Sequence, residues 1–340
     1  MEGVQPSIPQ NPTANSADLL PKGPNANPHL AAANGLDNVN VKPLVKHVLS
    51  KESQELFAKL SSALTDETNI EWQNAALAAI QTEPGIHQLT TYLLSFIAEK
   101  VTHNMKNIFV LHQMMRATQS LLENEAIFLD PYLAYMVPPV LTCCTGSRLG
   151  PANSQISSTA SSETMSNGTN PFKVHSVDQF QLRTYAAALL GRICEKGASS
   201  NQGLKARIAR TCLKQFMDPQ KTSGTHFGAL RALISITHKE GIRMLILPNL
   251  KAYGEDVLAV RLAKDDERYD AERVVKLLFD AVSAYTGSGS KGRNLSNGAP
   301  DFHHLQDRLS EKVGELLAER LVAQHEKGIA EFLVTANLDL

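Results

Sequence analysis

The sequence predicts an all-α chain, an α-solenoid in which antiparallel helix pairs stack on one another. Three observations lead there. Apolar residues recur at helical spacing in one segment after another, as in Leu182, Ala186, Leu189 and Ile193. No segment of useful length alternates apolar and polar residues between turn pairs, as a sheet would require. The chain also echoes itself. Thr184-Tyr185-Ala186-Ala187-Ala188-Leu189-Leu190 matches His226-Phe227-Gly228-Ala229-Leu230-Arg231-Ala232 in pattern, with Tyr185 over Phe227 at an offset of 42 residues. A period of about 40–47 residues is that of a two-helix HEAT or armadillo unit. Such a unit cannot bury its apolar face alone, so stacked neighbours must cover it.

Residues 1–42 are rich in proline and asparagine and lack apolar periodicity. A segment of that kind buries too little surface to offset its ordering entropy, and it reads as a disordered or extended linker. Met1 directly before such a tail suggests a piece that begins mid-protein. The helical domain is expected over residues 43–285. Ser50 reads as an N-cap with Glu52 in the first turn, and Leu56, Phe57, Leu60 and Leu64 form the first stripe. A second helix at roughly 68–81 carries Ile70, Trp72, Leu77 and Ile80. Pro84 suits the first turn of a third, whose stripe is Ile86, Leu89, Leu93, Phe96 and Ile97. A fourth, roughly 104–124, shows Ile108, Leu111, Met115, Thr118 and Leu122, a spacing that reads as core.

Asp130-Pro131 reads as a cap followed by a first-turn proline, opening a helix with Leu133, Val137, Val140, Leu141 and Cys144 inward. Pro138-Pro139 falls inside it, so a kink or break is expected there. Pro248 occupies a similar point in a later helix. Residues 146–176, rich in Ser, Thr, Asn and Gly, read as a disordered insertion that splits one repeat. Helices follow at roughly 177–195, 203–217, 225–239, 241–259 and 265–285. Residues 286–300 read as a flexible linker. Residues 301–340 are expected to form one amphipathic helix, to about 326, and a short apolar tail. Phe302, Leu305, Leu309, Val313, Leu316 and Leu321 make its stripe, which suits docking on the chain's own stack.

Composition narrows the function. The formal net charge of -1 gives no global attraction to nucleic acid or anionic membrane. No apolar run approaches the ~20 residues of a spanning helix, and the N-terminus shows no signal peptide. Cys143, Cys144, Cys194 and Cys212 lack metal or disulfide spacing and read as reduced core residues. No phosphate-binding glycine loop, zinc-protease motif or nucleophile elbow is present. His303 and His304 are neighbours about 100° apart on a helix and make poor co-ligands. His226 and His238 stand at opposite ends of one helix, and Asp265-Asp266-Glu267 looks like a helix's first turn. No catalytic, cofactor-binding or metal-ligating residue is therefore assigned, and no small-molecule substrate or membrane partner is expected. One charged feature stands out. Lys205, Arg207, Arg210 and Lys214 lie on one helix with no acidic neighbour before Asp218, and the last three recur at i, i+3 and i+7. This is either a solvated outer face or a contact for an acidic partner or phosphate.

Longer motifs carry a family resemblance. Glu2-Gly3-Val4-Gln5-Pro6-Ser7-Ile8-Pro9-Gln10-Asn11-Pro12 resembles the segment after the histone fold in subunit six of the general transcription factor TFIID, a TBP-associated factor family shared with SAGA in fungi. Pro43-Leu44-Val45-Lys46-His47-Val48-Leu49-Ser50-Lys51-Glu52 resembles the opening of that family's second domain. Leu245-Ile246-Leu247-Pro248 and Phe227-Gly228-Ala229-Leu230 are similar to its later repeats. The likeness runs from 2 to 12 and from 43 to about 260, with 146–176 departing from it. It implies a C-terminal HEAT-repeat domain without its histone fold, a nuclear, non-catalytic scaffold that contacts other TFIID and SAGA subunits. A second copy of the chain is a further partner such a surface admits. The alternative is a DNA-binding helical-repeat module that uses the basic helix around Arg207.

Overall fold

The computed structural model describes residues 49–150, 178–286, 302–323 and 333–334. Among these there is no strand. The sequence elements assigned to 1–42 and to most of 286–300 lie outside the described residues, as does 151–176 of the insertion.

Helices α1 (Lys51–Thr65), α2 (Ile70–Thr82), α3 (Thr90–His103), α4 (Ile108–Glu123), α5 (Leu133–Thr145), α6 (Gln179–Lys196), α7 (Gln202–Met217) and α8 (Ser223–Gly241) follow in order. An interrupted helical run from Ile242 to Leu262 contains the short helices α9 (Leu250–Tyr253) and α10 (Ala259–Leu262). Then come α11 (Asp265–Thr286), α12 (Phe302–Val313) and α13 (Glu315–Ala323). Consecutive helices pair as α1/α2, α3/α4, α5/α6 and α7/α8, and the interrupted run pairs with α11. The second helices, α2, α4, α6, α8 and α11, each pack on the next and make one continuous row; α3 packs on α5 in the other row. This is the expected stack of antiparallel pairs, with one core running through all of it.

Local chemistry sets the helix starts. The side chains of Ser50, Asn69, Asn107 and Thr222 accept hydrogen bonds from the backbone N–H of Ser53, Trp72, Val110 and Thr225, each satisfying a donor the helix itself leaves open. Pro84 and Pro131 both open 3-10 turns, Pro84–Leu89 and Asp130–Tyr132, ahead of α3 and α5. Asp130 is not a cap. Leu129 holds the cap position, and Asp130 enters the first turn, where its charge still favours the helix N-terminus.

The tandem prolines do not break the helix. α5 continues unbroken through Pro138 and Pro139. Proline has no N–H to offer the carbonyl four residues before it, and Ala134 and Tyr135, the two residues concerned, lie on the exposed side of the helix. Around Pro248 the helix does break up, into π-helical Ile242–Ile246, a 3-10 turn at Leu247–Asn249, α9, π-helical Gly254–Leu258 and α10. His238, near the end of α8, sits at φ 53, outside helical geometry. Residues 146–150, placed by sequence in the insertion, are held. Leu149 is buried, and the Gly150 N–H donates to the Met105 carbonyl at 3.0 Å.

The C-terminal segment is two helices, not one. Gly314, at φ 87, turns the chain between α12 and α13 in a region that favours glycine. The bend lets Leu309, Val313, Leu317 and Leu321 all be buried. Leu317 lies against Gly254, Lys251 donates to the Glu311 carbonyl at 3.2 Å, and Arg320 reaches Glu272 at 3.7 Å. These helices therefore dock on the chain's own stack.

Polar side chains bind neighbouring repeats, and their partners fall one repeat apart. Gln113 donates to Gln73 (2.6 Å), Arg116 to Asn74 (2.9 Å) and Asn124 to the Ile80 carbonyl (2.8 Å), at separations of 40, 42 and 44 residues. Lys196 donates to the Leu122 carbonyl near the end of α4. Arg183, buried in α6, donates to the carbonyls of Cys144 and Gly146 at the end of α5 (2.8 and 2.7 Å). Burial lowers its pKa to about 10, so it stays charged near neutrality. Arg261, also buried, binds the Pro219 and Lys221 carbonyls in the α7–α8 turn and Ser223 at the start of α8. A helix end leaves its last carbonyls without partners, and here an adjacent element supplies them.

Two close approaches fix the middle of the stack. Gly228 lets α8 run against the end of α5, where the Cys144 thiol donates to the Gly228 carbonyl at 3.1 Å. A Cβ at Gly228 would overlap the Cys144 carbonyl, which is backbone and cannot move cheaply. Gly228→Ala is expected to cost about 3 kcal/mol, read as a lower urea midpoint at unchanged slope.

Buried His226 accepts at Nδ1 from the Tyr253 hydroxyl and donates from Nε2 to the Asp218 carbonyl, both at 2.9 Å. That pairing fits the neutral ring. Burial, with the charge of Arg261 nearby, lowers its pKa to about 4 from the ordinary 6.5. Between those values the unfolded chain takes up a proton that the folded chain refuses. The contribution is therefore complete above the ordinary value and is lost as pH falls toward about 4, by about 3 kcal/mol at most. Urea unfolding of wild type and His226→Gln across that range should show the difference between them shrinking on acidification.

Candidate interaction surface

α7 carries the basic residues that the sequence singles out. Leu204, Ile208, Ala209, Cys212 and Phe216 form its buried face, packed toward α8. Lys205, Arg207, Arg210 and Lys214 are all exposed. At 100° per residue, Arg207, Arg210 and Lys214 project within an arc of about 60°, centred opposite the buried face. Lys205 does not join them. It falls on the buried-face side of the helix, exposed because it sits in the first turn, and its charge acts on the Cys194 thiol. The structure thus assembles a line of three cations and separates the fourth.

Several other titratable groups lie within the stack. Burial pushes the Cys143 and Cys212 thiols up to about 12 and that of Cys194 to about 11, and raises Cys144 well above its usual range. All four are free thiols inside the core, and a thiol held protonated is a poor nucleophile. Glu267, in the acidic run that opens α11, pairs with Arg261 (3.3 Å) and Lys264 (3.4 Å). Asp270 is raised chiefly by burial, despite Arg273 nearby. His303 and His304 fall in the first turn of α12. Among the described residues no three His, Cys, Asp or Glu side chains come together in a way that could hold a metal ion, and no helix is long and apolar enough to cross a membrane. An open groove of about 460 Å³ is lined by Glu255, Gln306, Asp307, Ser310, Glu311 and Glu315. It faces solvent and has no opposing cation among those residues.

Sequence reasoning did not single out Arg183 or Arg261. A signal was there for both. Arg183 shares helical spacing with buried Ala186, Ala187 and Leu190, and Arg261 follows Val257 and Leu258 by four and three residues. It likewise could not bring Glu255 beside Asp307 and Glu311, because only the bend at Gly314 and the docking of α12 do that.

Comparison with known proteins agrees with this architecture. A family model described as the TAF6 C-terminal HEAT repeat domain matches residues 45–251. The SAGA complex/transcription factor TFIID complex subunit Taf6 of Schizosaccharomyces pombe is 35% identical over 97% of this chain and 70% of its own length. Transcription initiation factor TFIID subunit 6 of Arabidopsis thaliana is 30% identical over 83% of this chain, which spans 47% of that protein. The TAF6 C-terminal domain from Antonospora locustae superposes with a TM-score of 0.52 at 23% identity, covering 68% of this chain and 98% of that one, a likeness of fold. With the helix pairs, their repeat-spaced contacts and the matched residues in agreement, the chain belongs to the TAF6 C-terminal HEAT repeat family.

Proposed function

We propose that this chain is a nuclear, non-catalytic scaffold that docks other subunits of TFIID, and of SAGA, during initiation of transcription by RNA polymerase II. The names of its relatives support membership in those assemblies. The observation that carries the scaffold role is how the chain uses its polar groups. Buried Arg183, Arg261, His226 and Asn124 all bind backbone or side chains of adjoining elements. These buried polar groups are thereby spent on holding adjoining elements in register, and what remains for partners is the outer surface. A surface carried on packed helices loses little conformational freedom when a partner lands on it, which favours binding at several points.

The DNA-binding alternative has one observation behind it, the exposed cations of α7. A row of three on a chain of net charge -1 would neutralise few phosphates and give a shallow salt dependence. Cross-linking mass spectrometry on assemblies purified through the intact protein tests the scaffold reading. Lysines of α7 and of the helices before it should link to other subunits of the same assembly. Recovery of links only within this chain would overturn the proposal.

A further inference from the structure

We propose that Asp270 is the counter-ion of buried Arg183 and that an internal water joins the two, tying α11 to the junction of α5, α6 and α8. Arg183 is 1% exposed, and two of its nitrogens donate to the Cys144 and Gly146 carbonyls. Its remaining nitrogen, Nε, has no hydrogen-bond partner in the protein. Among the described residues it is the one buried side-chain nitrogen or oxygen of which that is true. The guanidinium lies against Gly224, where a Cβ would come within 3.0 Å of Nη2 and 3.3 Å of Nε. A buried donor left without a protein partner calls for a water or an ion.

The neighbouring charges select Asp270. Two carboxylates act electrostatically on Arg183, those of Asp270 and Asp178. Asp178 is already paired with Arg273 at 2.7 Å. Asp270 is partly buried and makes no hydrogen bond or ion pair with a described residue. The helices meet at this point. Arg273, one turn along α11 from Asp270, lies over the Phe180 ring at 4.5 Å, and Phe180 is one turn along α6 from Arg183. Burial raises the pKa of Asp270; Arg273 and Arg183 lower it, and Asp178 and Glu267 raise it. No direct ion pair joins Arg183 to Asp270, so the link needs an intermediary. Water suits both ends. It accepts from the Nε–H and donates to the carboxylate, which gives it the polar partners a buried water requires. A halide could accept from the Nε–H, but it would face the Asp270 charge with nothing to donate.

A crystal structure of the full chain with ordered solvent tests the link directly. A water within hydrogen-bond distance of both Arg183 Nε and the Asp270 carboxylate is expected. A direct ion pair, a halide in that place, a water that meets Nε but not Asp270, or no water at all would overturn the proposal. A double-mutant cycle tests the energetics by urea unfolding. The effect of D270N on the ratio of folded to unfolded chain should differ about tenfold between the Arg183 and R183M backgrounds, with Asp270 favouring the folded chain more when Arg183 is present. D280N, at an exposed carboxylate of the same helix, should have the same effect in both. Equal effects of D270N in the two backgrounds would sink the idea. R183M also gives up two hydrogen bonds, so a measurement that spares Arg183 keeps the test open should that variant fail to fold. In the nitrogen-15 spectrum, the Arg183 Nε–H should exchange with solvent about tenfold faster in D270N and at the wild-type rate in D280N. An unchanged rate in D270N counts against the proposal.

Discussion

The structure depends on one recurring constraint: the last carbonyls of a helix must find donors, and in this stack much of the donation comes from neighbouring elements. Asn124 reaches back to Ile80, Lys196 to Leu122 and Arg183 to Cys144 and Gly146, and Arg261 likewise serves the Pro219 and Lys221 carbonyls of the α7–α8 turn. Apolar packing alone would let stacked helices slide, because the hydrophobic effect has no direction. A buried donor aimed at one carbonyl does have direction, and leaving it unmade costs more than making it returns. Pairs of helices are therefore held in register by their polar groups and in contact by their apolar ones.

Arg183 shows how far that arrangement goes. Its guanidinium is buried between the end of α5 and the start of α8, against Gly224, with no carboxylate within hydrogen-bond reach among the described residues. Burying a charge without a counter-ion is costly. Two carbonyls at a helix C-terminus, the negative end of its dipole, offset part of that cost. Gly228 completes the junction by letting the α8 backbone reach α5. The same place is where the chain departs toward residues 151–177. A junction fixed by a buried cation and a backbone contact can hold its geometry without depending on what is inserted there.

Much of the fold was legible because periodicity and capping are local. Ser50 caps α1, Pro84 and Pro131 open first turns, and the stripes of α1, α4 and α6 are buried much as spacing alone predicts. The offset between Tyr185 and Phe227 has a physical counterpart. Tyr185 meets His112, and Phe227 meets Phe180, each on the second helix of the preceding pair. What sequence reasoning missed needed tertiary information. α5 runs on through the tandem prolines, and the final helix bends because Gly314 can adopt a positive φ where docking requires it. Of the candidate surface, the spacing of Arg207, Arg210 and Lys214 on one side of α7 was legible, and so was the separate direction of Lys205, since both follow from the angle around the helix. Arg183 was overlooked because arginine is usually a surface residue.

A molecule that uses its buried charges to align its own repeats has consequences for how it meets others. Substitutions inside the stack disturb register first and any partner second, so their effects spread over several faces. Substitutions at exposed Arg210 and Lys214 leave the apolar face of α7 in place, because Leu204, Ile208, Cys212 and Phe216 form that face on the opposite side of the helix. The residues that hold that helix in the stack are therefore distinct from those on its outward face. That separation allows an outer surface to change while the row of second helices beneath it keeps its packing.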